Sequence, residues 1–483
     1  MSIYSQKSNL TSQARARAHG SFLFYDIETT GLNKCFDQVL QFAAIRTDLA
    51  LNELERVEIP IQLNNDVIPS PGAIITHRIG PDQFSNGISE FEAIQKIHAL
   101  LNIPGTISVG YNTLDFDDEF LRFSFYRNLL APYTHQFANG CGRMDIYPII
   151  VLYHLFKPDI LQWPTKKDGS VSLKLENINA ANQLAEGSAH HAMVDVEVTL
   201  ALTRKLFQDK TMWDFSTQYF QKKIDEDRIK SAETEMVIAG KSYKTGIMVY
   251  GKFGSDSNFV APVIELGSHL HYKNQLLWLR LDETLSEKTF VIRKKLAEPP
   301  IFLPLKERYL VLLSEARQKT MQKNIDWLKN NPDQFQQLQH KFQHEKYPEI
   351  NNIDIDAALY DIGFPTPAEN KLFEQFHATS NDKKENIAQQ FPNQIRKAQA
   401  TRILGRHFPE YLSDHAQKKY QAYVETLKTD VNTPVDFRGE KKLTIPRALI
   451  EIESLKNKAL DAKQQTLLDE LRLLLMSRKE KTR

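Results

Sequence analysis

The sequence predicts an α/β domain on a mixed sheet, then a small β domain, then a C-terminal all-α domain. Three observations predict it. Apolar β-rich runs open the chain and then alternate with helical periodicity up to about residue 205. Short β-type runs separated by Gly, Ser and Asp turns mark the region near 236–312. From about residue 313 the spacing is helical, broken by an Asn-, Asp- and Pro-rich stretch at 348–370. A length of 483 residues also fits about three domains. The expected division is a flexible tail over 1–20, an α/β domain over 21–205, a β domain with a helical extension over 206–352, and a helical domain over 356–483.

Each element has its own reason. SFLFYDIE at 21–28 is apolar up to its two acids and reads as a buried strand, broken by the TTGLN that follows. QVLQFAAIRTD and VEIPIQL are two further strands of an antiparallel meander. FEAIQKIHALL at 91–101 has helical spacing, and TISVGYN at 106–112 is a short strand ending near a turn. DDEFLRFSFYRNLL at 117–130 opens on acids and closes on basic and apolar residues, the order a helix dipole favours. DIYPIIVLYHLF, KLENINAANQL and HAMVDVEVTLALTRKLF supply three more helices. The runs MVIAGKSYKTGIMVYGKFG, FVAPVIELG, QLLWLRLD and TFVIRKKL suggest a barrel-like β unit. The final amphipathic stretch from Ala448 reads as a bundle helix pair, with a coiled coil as the alternative.

Composition narrows the function classes. Two cysteines, Cys35 and Cys141, exclude a disulfide scaffold and a Cys-rich zinc site, and make a reducing, cytoplasmic compartment the expectation. No apolar run approaches a membrane span, so no membrane partner is expected. A net charge of +1 argues against a uniformly cationic nucleic-acid binder. The charge is segregated, however: residues 1–200 carry 15 basic and 22 acidic residues, 201–350 carry 24 and 19, and 351–483 carry 22 and 19.

Three acidic motifs carry the chemistry. Asp26 and Glu28 lie two apart at a strand end, so the strand period points both to one face, where they suit a pair of divalent cations. The context matters, since acids in an apolar strand need partners or metals. Gly31 then permits a tight turn beside a ligand, and Leu32 is an apolar residue suited to wedging against a base. The second motif, Tyr111-Asn112-Thr113-Leu114-Asp115-Phe116-Asp117-Asp118-Glu119, holds four acids at a helix start, where capping alone would explain some of them. The third is Ser188-Ala189-His190-His191-Ala192-Met193-Val194-Asp195, with an Asp in an apolar helix. A histidine there suits general-base work, and on chemistry alone either His190 or His191 fits.

Taken in order, D-x-E-T-T-G-L, Y-N-x-x-x-F-D and H-x-x-x-x-D resemble the DEDDh exonuclease superfamily. Within it the chain is similar to the exonuclease I family, which acts 3′→5′ on single-stranded DNA. The similarity runs through Gln41–Asp48, Pro71-Gly72-Ala73, Phe125-Tyr126-Arg127-Asn128, Trp163-Pro164, Leu173–Glu176, Phe253-Gly254, Val260-Ala261-Pro262 and Arg406-His407-Phe408-Pro409. It implies an RNase H-like exonuclease domain, an SH3-like β domain and a C-terminal helical domain that help close a groove around the strand. It also implies Asp117 as the acid of the second motif and His190 as the base. Two departures stand out: Thr30, where relatives often carry an aromatic, and Lys174, where they use Arg, whose fork binds phosphate in bidentate fashion. PPIFLPLKERYLVLLSE matches the family poorly.

The expected reaction is two-metal hydrolysis with Mg²⁺, Mn²⁺ being a possible substitute, releasing 5′-mononucleotides in DNA repair and recombination. Asp26, Glu28 and Asp195 hold the ions, Asp117 completes the site and His190 takes the proton. Glu28, Thr29 and Leu32 meet the terminal nucleotide, Asn112 makes a polar contact and Lys174 neutralises a phosphate. Arg122 and Tyr133 stack on bases, while Tyr126 is better explained by helix packing. Lys241, Lys244, Lys252, Arg293, Lys294 and Lys295 are candidates to track the backbone, each equally explained as a solvated face. The expected partners are single-stranded DNA and, by resemblance, the acidic tail of single-stranded-DNA-binding protein; the expected state is a monomer. The alternative is another DEDDh activity, proofreading or RNA 3′-end trimming. A non-catalytic scaffold and a repair adaptor are more distant rivals.

Overall fold

The computed structural model describes residues 20–187, 191–233, 235–285 and 289–480. The expected tail lies outside them except for Gly20, and so does His190. The chain forms two compact units: 1–143, 186–197 and 349–483 make one, and 144–185 with 198–348 make the other.

The first unit is built on a sheet of order β3-β2-β1-β4-β5: β1 (Ser21–Thr29), β2 (Val39–Thr47), β3 (Glu53–Pro60), β4 (Thr106–Gly110) and β5 (Gly142–Asp145). β1 lies centrally, antiparallel to β2 and parallel to β4. The third strand thus starts earlier than the expected VEIPIQL run. Every β1 residue is buried except Asp26 and Glu28, which are partly exposed. Leu23, Tyr25 and Ile27 pack on one face against Ile94 and Ile97 of helix Glu90–Leu101 and Phe120 and Phe125 of helix Asp117–Arg127. Strand alternation therefore sends Asp26 and Glu28 to the other face together. At the opposite end of β1, the buried Arg46 guanidinium donates to Ser21 Oγ at 2.8 Å, Thr106 Oγ1 at 2.9 Å and the Leu100 carbonyl at 2.8 Å. One side chain so ties β2 to the starts of β1 and β4.

The C-terminal helices pack onto this unit through three apolar clusters. Leu40, Ile68, Ile74 and Phe84 meet Leu427, Ile445, Ile452, Leu468 and Leu471. Phe91 and Leu129 meet Phe376, Ile403 and Leu404. Phe36, Phe123 and Tyr126 meet Ala357 and Leu359. A buried ionic network joins the same elements: Asp66 accepts from Arg406 at 2.7 Å, Arg402 pairs with Asp356 at 2.8 Å, and Arg406 also pairs with Asp356. The last stretch is the expected bundle pair, helices Ile445–Lys456 and Ala462–Glu480.

The second unit holds an antiparallel sheet of order β10-β9-β8-β7-β11, with β6 (Glu235–Ile238) on β7 (Lys241–Val249). The others are β8 (Val260–Ser268), β9 (Gln275–Arg280), β10 (Val291–Lys295) and β11 (Ile301–Pro304). Met248, Val263, Trp278, Ile292 and Phe302 form its core. No helix among the described residues is long and apolar enough to cross a membrane.

Candidate active site

Because β1 and β4 run parallel, their C-terminal ends lie at one edge, where open α/β sheets place ligands. The first motif ends β1. The second starts where β4 stops at Gly110, turns through Asn112 in the left-handed region (φ 62°) and enters helix Asp117–Arg127. Gly110 is required there, since a Cβ would lie 3.0 Å from the Tyr25 carbonyl and closer still to Thr113. At Glu28/Thr29 the pairing with β2 shifts register, and such a bulge re-aims side chains beside a site. The third motif delivers Asp195 from the first turn of helix Ala192–Leu206.

Asp26, Glu28 and Asp195 converge: one carboxylate oxygen from each lies within 4.8 Å of the others. Among the described residues they are the one group of three or more His, Cys, Asp or Glu so placed. Burial and then the like charges of Asp117, Glu28 and Asp195 push the Asp26 carboxyl well above the usual range. Burial, with Asp195 and Asp117, pushes Glu28 up to about 8. Hard oxygen donors held together against their own repulsion fit a divalent cation such as Mg²⁺ or Mn²⁺.

The electrostatics also resolve the four acids of the second motif. Asp118 accepts from Arg143 at 2.6 Å, Arg122 at 2.7 Å and His135 at 3.2 Å, and the two guanidinium charges with the His135 hydrogen bond hold its carboxyl well below the usual range against the cost of burial. Glu119 is taken by Lys34 at 2.5 Å and Tyr360 at 2.8 Å. Asp117 is the acid whose charge acts on Asp26 and Glu28. His191 sits 3.9 Å from Glu58, both half-exposed; His190 is outside the described residues.

The loop after β1 is braced from within. Thr30 Oγ1 donates to Asp37 Oδ1 at 3.1 Å and accepts from the Gln38 amide at 2.9 Å. This explains Thr30 where an aromatic was the family expectation: the position is fully buried and hydrogen-bonded. Gly31 packs so tightly that a Cβ would lie 2.4 Å from Asp37 Oδ2. Thr29 is buried, and its carbonyl meets His77 Nε2 at 3.2 Å. Leu32, by contrast, is 82% exposed at the loop tip.

Other expected contacts fall elsewhere. Arg122 is absorbed by Asp118 and by Tyr360 Oη at 3.0 Å, with its guanidinium 5.2 Å from the Tyr133 ring, so its charge is already matched. Tyr126 is fully buried and donates to the Ile355 carbonyl at 3.0 Å, the packing role favoured above. Lys174, in the second unit, is 72% exposed and 3.5 Å from Glu176. Lys294 corrects an expectation: it is 1% exposed and paired with Asp225 at 2.8 Å, so it cannot track a solvent-side backbone. Arg293 pairs with Glu345, Lys244 with Glu235 at 2.8 Å and Lys295 with Glu298 at 3.8 Å. Sequence reading missed Phe364, 81% exposed with its ring 5.7 Å from Tyr133. Its signal was an aromatic in the polar junction 348–370.

Comparison with known proteins agrees with this geometry. A family profile described as exonuclease matches residues 23–203, and one described as exonuclease I C-terminal domain matches 353–475. Exodeoxyribonuclease I of Buchnera aphidicola subsp. Acyrthosiphon pisum is 31% identical over 288 residues, 59% of this chain and 67% of the relative. The Escherichia coli K12 protein of that name is 35% identical over 190 residues, 39% and 40% of the two chains. In sequence the chain spans about half the length of the curated relatives it matches. In structure it resembles E. coli exonuclease I in complex with a dA16 oligonucleotide (TM-score 0.82, 23% identity, 95% of this chain and 100% of that one). The exonuclease I of Methylocaldum szegediense superposes with TM-score 0.80 at 24% identity, over 95% and 100%.

Proposed function

The chain belongs to the exonuclease I family of the DEDDh superfamily, and we propose that it is a divalent-metal-dependent 3′→5′ exonuclease releasing 5′-mononucleotides from single-stranded DNA. The observation that carries the reading is the convergence of Asp26, Glu28 and Asp195, with Asp117 acting on them, at the edge where β1 and β4 both end. The proposal includes the division at 21–205, 206–352 and 356–483, supported by β6–β11 falling within 235–304 and by the second profile's match at 353–475.

Asp26, Glu28 and Asp195 would hold two Mg²⁺ ions, with Asp117 completing the set. Bound there, the cations supply activation of the attacking water and neutralise charge on the leaving 3′ oxygen. His190 would take the proton of the attacking water, whose oxygen would bond to phosphorus as the P–O3′ bond breaks, the leaving 3′ oxygen taking its proton from solvent. Leu32 and Thr29 seat the terminal nucleotide, Leu32 by apolar contact at its exposed tip. Tyr133 and Phe364 offer ring faces for unpaired bases. Lys174 would neutralise a phosphate, the role the family resemblance implies. A cytoplasmic monomer that also docks the acidic tail of single-stranded-DNA-binding protein completes the proposal; both free cysteines fit a reducing compartment.

The test is time-resolved product analysis on 3′- and 5′-labelled single-stranded DNA with Mg²⁺, in parallel with RNA. Mononucleotides should leave from the 3′ end, and Asp26→Ala should abolish release while the protein stays folded. Mg²⁺-dependent release retained by that variant sinks the assignment. Preference for RNA selects the trimming alternative.

A further inference from the structure

We propose that Asp436 and Asn33 form a positioning pair through which the C-terminal region sets the nucleotide-seating loop of the nuclease, so that this region acts on the cleavage step itself. The inference rests on the nuclease reading above. The loop between β1 and β2 carries Leu32 at its tip, and its second half is held from within by Asp37 and from outside by a C-terminal turn, the Asp117 helix and the turn before that helix. Asn33 Nδ2 donates to Asp436 Oδ2 at 3.0 Å, across 403 residues of sequence. The Asn33 amide donates to Asp37 Oδ2 at 2.8 Å. Arg127, buried, donates to the Cys35 carbonyl at 2.8 Å and the Asp37 carbonyl at 2.9 Å. Lys34 donates to the Asp115 carbonyl at 2.6 Å and to Glu119, joining the loop to the start of the Asp117 helix.

Asp436 is built for the task. It is 3% exposed. Its other oxygen accepts from the Arg438 amide at 2.8 Å and the Glu440 amide at 2.9 Å, which fixes its orientation. The next residue, Phe437, stacks on Phe123 of the Asp117 helix at 5.7 Å and 6°, and meets Tyr360 edge-on at 5.0 Å. The turn is therefore clamped to the helix that presents Asp117 while holding the loop that presents Leu32. Asn33 Oδ1 accepts from the Cys35 and Phe36 amides, so the amide group has one arrangement that satisfies both ends. Losing the link leaves a buried carboxylate oxygen facing an unsatisfied amide and frees the loop tip relative to the acids. Misplacement on the scale of 1 Å at a reacting centre costs on the order of 100-fold in rate.

The experiment exploits the fact that donor and acceptor can be exchanged. Asp436→Asn sets two amide donors against each other, and Asn33→Asp sets two carboxylates against each other. The double variant restores one hydrogen bond with the donor reversed and the net charge unchanged. Single-turnover release of the 3′ nucleotide, strand affinity and unfolding midpoint are measured on the full chain with Mg²⁺ and a single-stranded oligonucleotide. Each single variant should lower the cleavage rate on the order of tenfold or more with affinity for a long strand changed little, and the double should recover most of that loss. Rates unchanged in both single variants, a loss confined to affinity or midpoint, or a double variant as slow as the singles, overturns the positioning role. A wild-type protein that releases nothing from single-stranded DNA overturns the nuclease reading instead.

Discussion

The acid cluster should destabilise the protein that holds it, and Glu28→Gln measures by how much. Burial and the Asp195 and Asp117 charges raise Glu28 from 4.5 to about 8. In the metal-free native state it therefore keeps its proton up to about pH 8, whereas the unfolded chain loses it near pH 4.5. The native state binds the extra proton across that window, so stability falls as pH rises through it. The slope is about 1.4 kcal/mol per pH unit for one proton, and the whole window is worth about 4–5 kcal/mol. Gln cannot ionise. In chelator-treated protein, urea unfolding at pH 6 and pH 8 should show wild type losing about 2 kcal/mol more than the variant over that interval. The variant should be the more stable of the two at pH 8 and inactive at both. Adding Mg²⁺ at 100 times its dissociation constant should return about 2.7 kcal/mol to wild type and less to the variant. A variant no more stable than wild type at pH 8, or two parallel pH profiles, refutes the reasoning.

Other expectations rest on separate contacts. Gly31→Ala forces a methyl to 2.4 Å from Asp37 Oδ2, so it should lower the unfolding free energy by about 1–3 kcal/mol and slow nucleotide release, read by urea titration and single-turnover cleavage. Asp66→Ala removes a fully buried partner of Arg406, and breaking a buried pair costs about 3–5 kcal/mol, so a shift near that size in the denaturant midpoint is expected. Burial holds His377 down to about 4 and His407 down to about 3, both in the cluster around Phe91. Each stays neutral when folded but protonates below 6.5 when unfolded. Their contribution is thus present above pH 6.5 and lost as pH falls, about 2 kcal/mol per histidine between pH 7 and 5. His407→Phe should flatten that limb of the stability profile by one proton, and an unchanged slope would contradict the reasoning.

What the sequence made legible was whatever short-range pattern decides. β1 could be read because an apolar run with two acids at period 2 has one way to fold, and Asp26 and Glu28 follow from it. The second motif was different. Spacing presents four acids equally, and what separates them is Arg143, His135 and Lys34, partners brought in by the tertiary fold. The partners of Arg122 were equally out of reach of spacing: Asp118, one turn back on its own helix, and Tyr360, far along the chain, both hold it. The basic run at 293–295 looked like a solvent-facing strip, yet β10 alternation buries Lys294 against Asp225. β11 falls inside the β-type region expected near 236–312 without having been picked out as a run, since Pro299, Pro300 and Pro304 bracket Ile301–Leu303; an edge strand tolerates them.

The near-zero net charge concealed a local imbalance that the architecture cannot relax. Carboxylates on a surface loop would spread apart and stay ionised. Here Asp26 and Glu28 ride on a strand paired along its length by β2 and, up to Phe24, by β4, with Leu23, Tyr25 and Ile27 locked into the core beneath. Arg46 pins the far end of that strand. Asp117 and Asp195 arrive on helices whose own packing fixes them. The backbone cannot yield by the ångström or so that would ease the repulsion without breaking strand pairing. Two outlets remain: proton uptake, the direction in which burial and like charge push Asp26 and Glu28, or a divalent cation. Rigidity therefore does the selecting, because a scaffold that cannot separate its acids turns their repulsion into affinity for the ion that removes it.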